Sequence, residues 1–137
     1  MNRILSLDVG EKRIGMAISD LMGWTAQPLY TLHRTALKKD INEILSVISK
    51  NKVNKIIAGL PKNMDGTLGY QGKLTQKFIA ELLLSTDIPF EWVDERMTTL
   101  LARQMMKQSE VKKKNKKSIV DTVAATLILE TYLTSHR

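Results

Sequence analysis

A run of six residues, 55–60 (KIIAGL), restricts the fold of this chain more than any other segment. Its apolar residues follow one another instead of alternating with polar ones, which is typical of a parallel strand buried on both faces. A helical pattern precedes it behind Thr35, a candidate N-cap, and consists of Leu37, Ile41, Ile44, Leu45 and Ile48. A buried strand that follows a helix predicts an α/β protein with a parallel sheet at its centre.

The first 33 residues have a different pattern, which predicts three antiparallel strands. Residues 3–8 and 13–19 are β-rich runs joined by a turn at 9–12 that contains Gly10, so they are expected to form a hairpin. Residues 28–32 supply a third, edge strand, because proline is tolerated where a strand begins. We therefore expect a sheet that is antiparallel on one side and parallel through the middle.

The rest of the chain continues the alternation of helix and strand. After a glycine-containing loop at 61–72, the pattern predicts a helix that ends near residue 86, a strand at 90–93, a helix at 98–106 and a final helix at 118–133. We see no repeat or linker, and 137 residues suit one compact unit. We therefore expect a single domain over residues 1–137.

Composition excludes several kinds of active site. The chain has no cysteine and two histidines, His33 and His136. Disulfides, thiolate nucleophiles, iron–sulfur clusters and cysteine-ligated zinc are therefore excluded, and a Ser-His-Asp triad is poorly supported. Carboxylates remain as the groups that could carry catalysis.

Charge and hydropathy indicate where the protein acts and on what. No apolar run approaches the roughly 20 residues that cross a bilayer, and the amino terminus lacks the features of a signal peptide, so we expect a cytoplasmic protein. The net charge is +7, and residues 101–137 hold 8 Lys and Arg against 3 Asp and Glu. Such a basic region favours a polyanionic partner, nucleic acid first, although a solvated loop has the same composition.

Acidic residues end two of the predicted strands. Asp8 is followed closely by Gly10, which lets a ligand approach the backbone; the alternative is an acid that only shapes the turn. Asp94 and Glu95 follow the last strand, and because side chains alternate between the faces of a sheet, only one of them can point toward Asp8. Spacing alone does not tell which, and either could instead pair with Arg96.

A third acid lies on the final helix. Asp121 shares one helix face with Ala124, Ala125 and Ile128. Two alanines let a helix approach the sheet closely, so an acid on that face would be costly to bury unless it is paired or bound to a cation. The alternative is an acid near a helix start, stabilised by the helix dipole.

Three acids from two strand ends and one helix suit a hard divalent cation such as Mg²⁺, with Mn²⁺ as the alternative. A pair of such ions about 4 Å apart would stabilise the attacking and leaving oxygens of a phosphodiester displacement. Together with a basic surface, this pattern predicts a nuclease.

Five blocks of sequence resemble, in order, the YqgF family of RNase H-like proteins, which are described as Holliday-junction-resolvase-like and as pre-16S rRNA nucleases. The blocks are LDVGEKRIGMAISD, TAQPL, GLPKNMDGTLG followed by Gln71, VDERMTT, and DTVAATLIL preceded by lysines. The resemblance covers nearly the whole chain. It implies a five-stranded mixed sheet flanked by helices, a nuclease that processes the 5′ end of pre-16S rRNA, and family carboxylate positions at Asp8, Glu95 and Asp121.

Candidate nucleic-acid-binding residues surround these acids. Arg13 and Arg96 flank them and could hold a scissile phosphate or form structural ion pairs. Lys62 lies in the glycine-containing loop, whose polar residues could contact nucleic acid or only form a surface turn. Trp24 and Trp92 are interpreted as packing residues. A mobile basic segment that contacts phosphates before the last helix is predicted from Lys112, Lys113, Lys114, Lys116 and Lys117.

Three functions stay open from the sequence. The first is a metal-dependent nuclease acting on precursor ribosomal RNA, with the ribosome precursor as a partner. The second is a resolvase-like nuclease acting on branched DNA, which would work as a two-fold dimer. The third is a nucleic-acid- or ribosome-binding protein without catalysis. Spacing and composition show no dimer interface, so both a monomer and a homodimer are compatible with the chain.

Overall fold

The structure, a computed structural model, describes residues 3–94 and 116–136, and the side chains of residues 3–94 and 122–136. These parts of the chain contain five strands and three helices. In chain order they are β1 (Ile4–Val9), β2 (Arg13–Ser19), β3 (Ala26–His33), α1 (Leu37–Asn51), β4 (Lys55–Leu60), α2 (Tyr70–Leu83), β5 (Phe90–Asp94) and α3 (Lys116–Ser135).

The strands form one mixed sheet in the order β3-β2-β1-β4-β5. β1 pairs in parallel with β4, and β4 with β5, whereas β2 is antiparallel to both β1 and β3. The predicted five-stranded arrangement is confirmed. Because β1, β4 and β5 run in the same direction, their carboxyl ends lie together at one side of the sheet, which we call the carboxyl edge.

Alternate residues of β1 point to opposite faces of the sheet and meet different helices. Leu5 and Leu7 belong to a core shared with α1 and α2, which includes Ile44 and Phe78. Ile4 packs on the other face with residues of α3. β1 is therefore covered by helices on both faces, as its apolar sequence requires.

α3 approaches the sheet closely because its inner face carries small side chains. Ala124 and Ala125 have exposed fractions of 5% and 0%. The buried Ser6 hydroxyl donates a 2.8 Å hydrogen bond to the Ala125 carbonyl oxygen. The predicted alanine face of this helix is confirmed for the residues whose side chains the structure describes.

A polar cluster attaches the carboxyl-terminal end of α3 to the edge where the parallel strands begin, which is opposite the carboxyl edge. The Lys55 ammonium group, at the start of β4, donates hydrogen bonds to the Tyr132 hydroxyl and to Glu91 Oε1. The hydrogen bond to Tyr132 raises the pKa of Lys55. The ring of His136 stacks on Tyr132 with centroids 3.9 Å apart. α3 therefore runs with its amino-terminal end toward the carboxyl edge.

The start of α1 differs from the prediction. The N-cap is Ala36, which makes no side-chain hydrogen bond, and not Thr35. The carboxylate of Asp40, only 3% exposed, reaches back from the first turn and accepts the Thr35 N–H at 3.1 Å. Asp40 also pairs with Arg34 at 3.4 Å. An acid in the first turn therefore holds the residue that precedes the N-cap, and no side chain caps the helix itself.

The start of α2 also differs from the prediction. The helix begins at Tyr70, whereas residues 61–72 were expected to form a loop. A Cβ at Gly72 would lie 2.3 Å from Leu68 Cδ1 and 2.7 Å from the Pro61 carbonyl oxygen. The glycine therefore permits a tightly packed first helical turn instead of marking a loop.

The predicted basic segment overlaps α3. Lys116 and Lys117 belong to this helix and do not precede it. Lysine is a good helix former, so the end of the lysine run extends the helix. Lys112, Lys113 and Lys114 lie outside the described residues, as does the helix predicted at 98–106.

The two tryptophans differ in burial. Trp92 packs against the core and meets the Phe90 ring edge-on at 4.9 Å, as predicted. Trp24 is 61% exposed in the β2–β3 connection, so the packing interpretation is wrong for it. The Asp20 carboxylate closes this connection, because it accepts hydrogen bonds from the backbone N–H of Trp24 and from the Thr25 hydroxyl. The indole ring of Trp24 stays at the surface.

No helix in the described parts of the chain is long and apolar enough to cross a membrane.

The close approach of α3 is tested by the substitution Ala125→Leu. The larger side chain has no room between helix and sheet, so the free energy of unfolding should fall by about 1–3 kcal/mol. Ala80, exposed on α2, is the matched control. Ala80→Leu should change the free energy of unfolding by less than about 0.5 kcal/mol. Urea denaturation followed by circular dichroism measures both. Equal stability of the two variants would mean that α3 does not rest on the sheet at Ala125.

Candidate active site

Asp8 lies near the carboxyl end of β1 and is half-buried. Its side chain is on the α3 face of the sheet, because β1 residues alternate and Ser6, two positions earlier, contacts α3. Its partner across the antiparallel pair is Gly15 of β2. Since Gly15 has no side chain, β2 places no side-chain atoms opposite the Asp8 carboxylate.

Asp94, the last residue of β5, is placed on the other face of the sheet. It alternates with Val93, which packs against α3, and shares the face of Trp92, which packs against the α1 and α2 core. Asp94 is exposed and is in register with Leu60 of β4. The structure therefore does not bring Asp94 together with Asp8. Glu95 lies outside the described residues.

Position 121 of α3 reaches the level of Asp8. It precedes Ala125 by one helical turn, and four helix residues span about 6 Å. Asp8 follows Ser6, the partner of Ala125, by two strand residues, which span about 7 Å. The amino-terminal end of α3 points toward the carboxyl edge. The step from Ala125 back to Asp121 and the step from Ser6 to Asp8 therefore both lead toward that edge. The backbone of Asp121 therefore lies beside the end of β1.

The candidate nucleic-acid-binding residues are divided between the described and undescribed parts of the chain. Arg13 begins β2 beside the end of β1, and Lys62 follows β4 by two residues, so both belong to the carboxyl edge and are half-buried. Lys116 and Lys117 lie in the first turn of α3. Arg96 lies outside the described residues, together with Lys112, Lys113 and Lys114.

Backbone carbonyls just after Asp8 are held by three side chains that the sequence did not single out for the site. The Val9 carbonyl accepts hydrogen bonds from Gln71 Nε2 at 3.1 Å and from Thr75 Oγ1 at 3.3 Å, both on α2. The Gly10 carbonyl accepts one from Arg34 Nη1 at 3.0 Å. These contacts fix the turn at the carboxyl edge from the side opposite α3.

Arg34 has a structural role, which we call the Arg34 brace: it holds the Gly10 carbonyl, and its charge is neutralised within the protein. It pairs with the buried Asp40 at 3.4 Å, and its guanidinium lies 4.8 Å from the centre of the Phe78 ring. Sequence reasoning missed Arg34 because the residues it contacts come from different parts of the chain. Gln71 did carry a signal, since it follows one of the motif blocks directly.

The loop between β4 and α2 is a closed surface turn. Asn63 Nδ2 donates to Thr67 Oγ1 at 3.0 Å, and the Thr67 N–H donates to Asp65 Oδ1 at 2.9 Å. Gly66 supplies the positive φ of 89° that this turn needs. Of the two interpretations for its polar residues, these contacts favour the surface turn.

Among the side chains that the structure describes, no three His, Asp or Glu residues form a group able to hold a metal ion. Of the three predicted ligands, the structure describes the side chain of Asp8 only; those of Glu95 and Asp121 fall outside it.

Comparisons with known proteins give the family. The family model described as "RuvX: Holliday junction resolvase" matches residues 2–135. A protein of Clostridioides difficile (strain 630) is 47% identical over 131 residues, which cover 96% of this chain and 93% of that protein. A protein of Desulforamulus reducens is 43% identical over 133 residues, which cover 97% of each. Both are named "Putative pre-16S rRNA nuclease".

Two solved structures share the fold. RuvC of T. thermophilus in complex with a Holliday junction substrate has a TM-score of 0.62 at 11% identity, covering 99% of this chain and 97% of that one. The Fowlpox virus Holliday junction resolvase has a TM-score of 0.59 at 14% identity, covering 98% and 99%. These likenesses confirm the predicted RNase H-like fold.

The predicted resemblance to YqgF proteins and the predicted enzyme class, a nuclease, are confirmed by the family model and by these relatives. From the match over residues 2–135 and the identity of 47% to a relative covered over 93% of its length, the chain belongs to the RuvX family of Holliday junction resolvases.

Proposed function

We propose that this chain is a divalent-metal-dependent endonuclease that hydrolyses phosphodiester bonds of structured nucleic acid, with Asp8, Glu95 and Asp121 as ligands of Mg²⁺ or Mn²⁺. The observation that carries the proposal is the position of Asp8, at the carboxyl edge and on the α3 face of the sheet. Acids from a strand end and a facing helix form the kind of oxygen cage that a hard cation prefers.

The surroundings of Asp8 fit a metal ion. β2 places no side chain opposite the carboxylate, because Gly15 is its partner there, and a carboxylate is the oxygen ligand that Mg²⁺ prefers, with its other positions filled by water and a substrate phosphate. When bound, such ions supply positive charge that stabilises the attacking and leaving oxygens of the displacement. Arg13 and Lys62 lie at the same edge and would hold the phosphate in place. The contacts of Gln71 and Arg34 keep the adjoining turn fixed during this step.

Asp94 is the alternative ligand that the sequence left open, and strand alternation argues against it. It lies on the face of the sheet opposite Asp8. The second proposed ligand is therefore Glu95, the position that the resemblance to the family implies.

The proposed substrate is the precursor of 16S rRNA, cleaved near its 5′ end. It is supported by the names of the two relatives at 47% and 43% identity. Branched DNA is the second candidate, favoured by the description of the family. Incubating the protein with precursor rRNA and with a four-way DNA junction, each with and without Mg²⁺, separates the two. A protein that bound both and cleaved neither would be a binding protein instead.

We further propose that residues 1–137 form one domain and that the protein works in the cytoplasm, where a ribosome precursor would be its partner. A monomer would suffice for a single cut in RNA. Symmetric cutting of a junction would need a homodimer with two facing sites.

Removal of the Asp8 charge should abolish cleavage. In Asp8→Asn, an amide replaces a charged metal ligand, so the cleavage rate should fall by more than about 100-fold. Glu95→Gln and Asp121→Asn should have the same effect. Rates are measured on precursor rRNA and on the junction, and Mg²⁺ binding is measured by calorimetry.

The matched control for these variants is Asp94→Asn, which removes the same charge from the other face of the sheet. It should leave the cleavage rate within about threefold of the unchanged protein, because Asp94 does not face the proposed site. All variants should keep their circular dichroism spectra. Full activity of Asp121→Asn, or activity in excess chelator, would contradict the proposed metal site.

The lysines of the predicted basic segment, which we call the lysine cluster, should bind phosphates and not bases, because lysine is a point charge. Its replacement by glutamine should weaken binding of RNA and DNA alike. It should also flatten the dependence of log K on log salt by about 0.7–0.9 for each phosphate that the variant no longer neutralises. The substituted positions are Lys112, Lys113, Lys114, Lys116 and Lys117.

A charge-matched comparison separates position from net charge. Lys112, Lys113 and Lys114 are replaced in one variant, and Lys50, Lys52 and Lys77, which are exposed in and next to α1 and α2, in the other. Fluorescence anisotropy at several salt concentrations should show a smaller salt slope for the first variant than for the second. Equal slopes would mean that the cluster contributes only to the overall charge.

A further inference from the structure

The connection between β2 and β3, residues 20–25, exposes a group of apolar side chains at the end of the sheet opposite the carboxyl edge. Leu21, Met22 and Trp24 are 45%, 69% and 61% exposed. The other large apolar side chains that are exposed in the described parts of the chain lie singly. A group of exposed apolar side chains on a protein surface is typical of an interaction site. We call this connection the β2–β3 tip.

The backbone of the β2–β3 tip is fixed although its side chains are exposed. The Asp20 carboxylate accepts hydrogen bonds from the backbone N–H of Trp24 at 2.8 Å and from the Thr25 hydroxyl at 3.0 Å. The backbone N–H of Gly23 donates to the Asp20 carbonyl at 3.1 Å, and Gly23 supplies the φ of 73° that the turn needs. Side chains on a fixed backbone lose little conformational freedom when a partner covers them.

Two hollows lie beside the β2–β3 tip, next to the end of α3. One has a volume of ≈ 280 Å³ and is lined by Trp24 together with Glu130 and Leu133 of α3. The other has a volume of ≈ 370 Å³ and lies between Gly23, Tyr132 and Leu133. A cavity of about 150 Å³ holds a benzene molecule, so each hollow is large enough for one exposed apolar side chain. The tip therefore carries both projecting groups and the hollows that can receive them.

Opposite charges flank the β2–β3 tip. Glu130 is exposed on the side of α3. Lys52, also exposed, follows α1 on the other side of the sheet. Arg3 holds the end of α1 beside the tip, because its guanidinium donates hydrogen bonds to the carbonyls of Ser19 at 3.1 Å and of Asn51 at 3.5 Å.

This distribution of charge is complementary to itself under one two-fold rotation. An axis that lies in the sheet and crosses its strands turns the α3 side of one copy against the α1 side of the other. Glu130 of each copy then faces Lys52 of the other. An axis perpendicular to the sheet sets like charges together instead, which is unfavourable.

We propose that two copies of this chain associate through the β2–β3 tip, with the tip of each copy seated in the hollows beside the tip of the other and with Glu130 facing Lys52. A second copy is the occupant that the surface fits, because an isologous interface needs the projecting groups, the hollows and both charges on one patch.

The two proposed active sites point away from each other in this dimer. The β2–β3 tip adjoins the start of β1, whereas Asp8 lies at the carboxyl edge. Ile4 and Asp8 are four strand residues apart, which is about 13 Å, so the two Asp8 residues are separated by at least about twice that distance. The dimer therefore cannot aim both sites at one junction, and each copy makes a single cut. This consequence rests on the proposed nuclease function, whereas the association itself does not.

Sedimentation equilibrium of the full chain, in chelator and without nucleic acid, tests the association. The unchanged protein should be a mixture of monomer and dimer in which the dimer share rises with protein concentration. The double variant Met22→Ala, Trp24→Ala should raise the dissociation constant by more than about 10-fold, because large side chains at the centre of an interface carry most of its binding energy. The matched control, Met64→Ala with Tyr70→Ala, removes two similarly exposed side chains near the carboxyl edge and should leave it unchanged.

An exchange of charges tests the orientation of the two copies. Glu130→Lys and Lys52→Glu, each alone, set like charges across the two-fold axis and should weaken association. The two substitutions together restore an opposite pair and should return the dissociation constant to within about threefold of the unchanged protein. Absence of this rescue would contradict the proposed orientation.

Crosslinking locates the interface directly. Because the chain has no cysteine, one introduced cysteine marks one position. With a short bismaleimide, Met22→Cys should give a covalent dimer. Met64→Cys, equally exposed but near the carboxyl edge, should not.

Three results would overturn the proposal. They are a protein that stays monomeric at every concentration, equal effects of the tip variant and its control, and crosslinking through Met64→Cys in preference to Met22→Cys. None of them affects the proposed metal-dependent cleavage, which is measured on nucleic acid with Asp8 intact. Conversely, a dimer that cleaves no nucleic acid would refute the proposed nuclease and leave the association in place.

Discussion

The hydrogen bond from the Ser6 hydroxyl to the Ala125 carbonyl sets the distance between the sheet and α3, and the candidate active site depends on that distance. The bond is buried, and it forms because Ala125 has too little bulk to hold the helix away. From this contact, one turn of helix and two residues of strand cover nearly the same length, about 6 and 7 Å. A single helix-to-sheet contact therefore brings position 121 level with Asp8.

The carboxyl edge is fixed from its other side by α1 and α2. Gln71 binds the carbonyl of Val9, and Arg34 binds that of Gly10. The buried Asp40 neutralises Arg34 and also accepts the Thr35 N–H just before α1, so one carboxylate holds both the brace and the chain that enters the helix. An edge held in this way would keep Asp8, the proposed metal ligand, in position before substrate arrives, which lowers the cost of reorganisation during catalysis. The contact of Gln71 also fixes the first turn of α2.

Local patterns predicted most of the fold, because strand and helix periodicity are properties of neighbouring residues. The strands at 13–19 and 55–60 have the predicted bounds. The Arg34 brace could not be predicted, since Arg34 and the Gly10 carbonyl it binds are 24 residues apart and no spacing rule joins them. The case against Asp94 likewise needed the packing of the β5 faces. Strand spacing alone left Asp94 and Glu95 equal, and the family resemblance was what favoured Glu95.

The central claim is that Asp8 is a ligand of a divalent cation, and anomalous scattering from Mn²⁺ in a crystal of the full chain with bound nucleic acid tests it most directly. The account predicts an anomalous peak about 2.0–2.5 Å from an Asp8 carboxylate oxygen, with Glu95 and Asp121 as the other protein ligands. A crystal saturated with Mn²⁺ that shows no peak at Asp8, or shows the ion bound at Asp94 on the other face of the sheet, would contradict it.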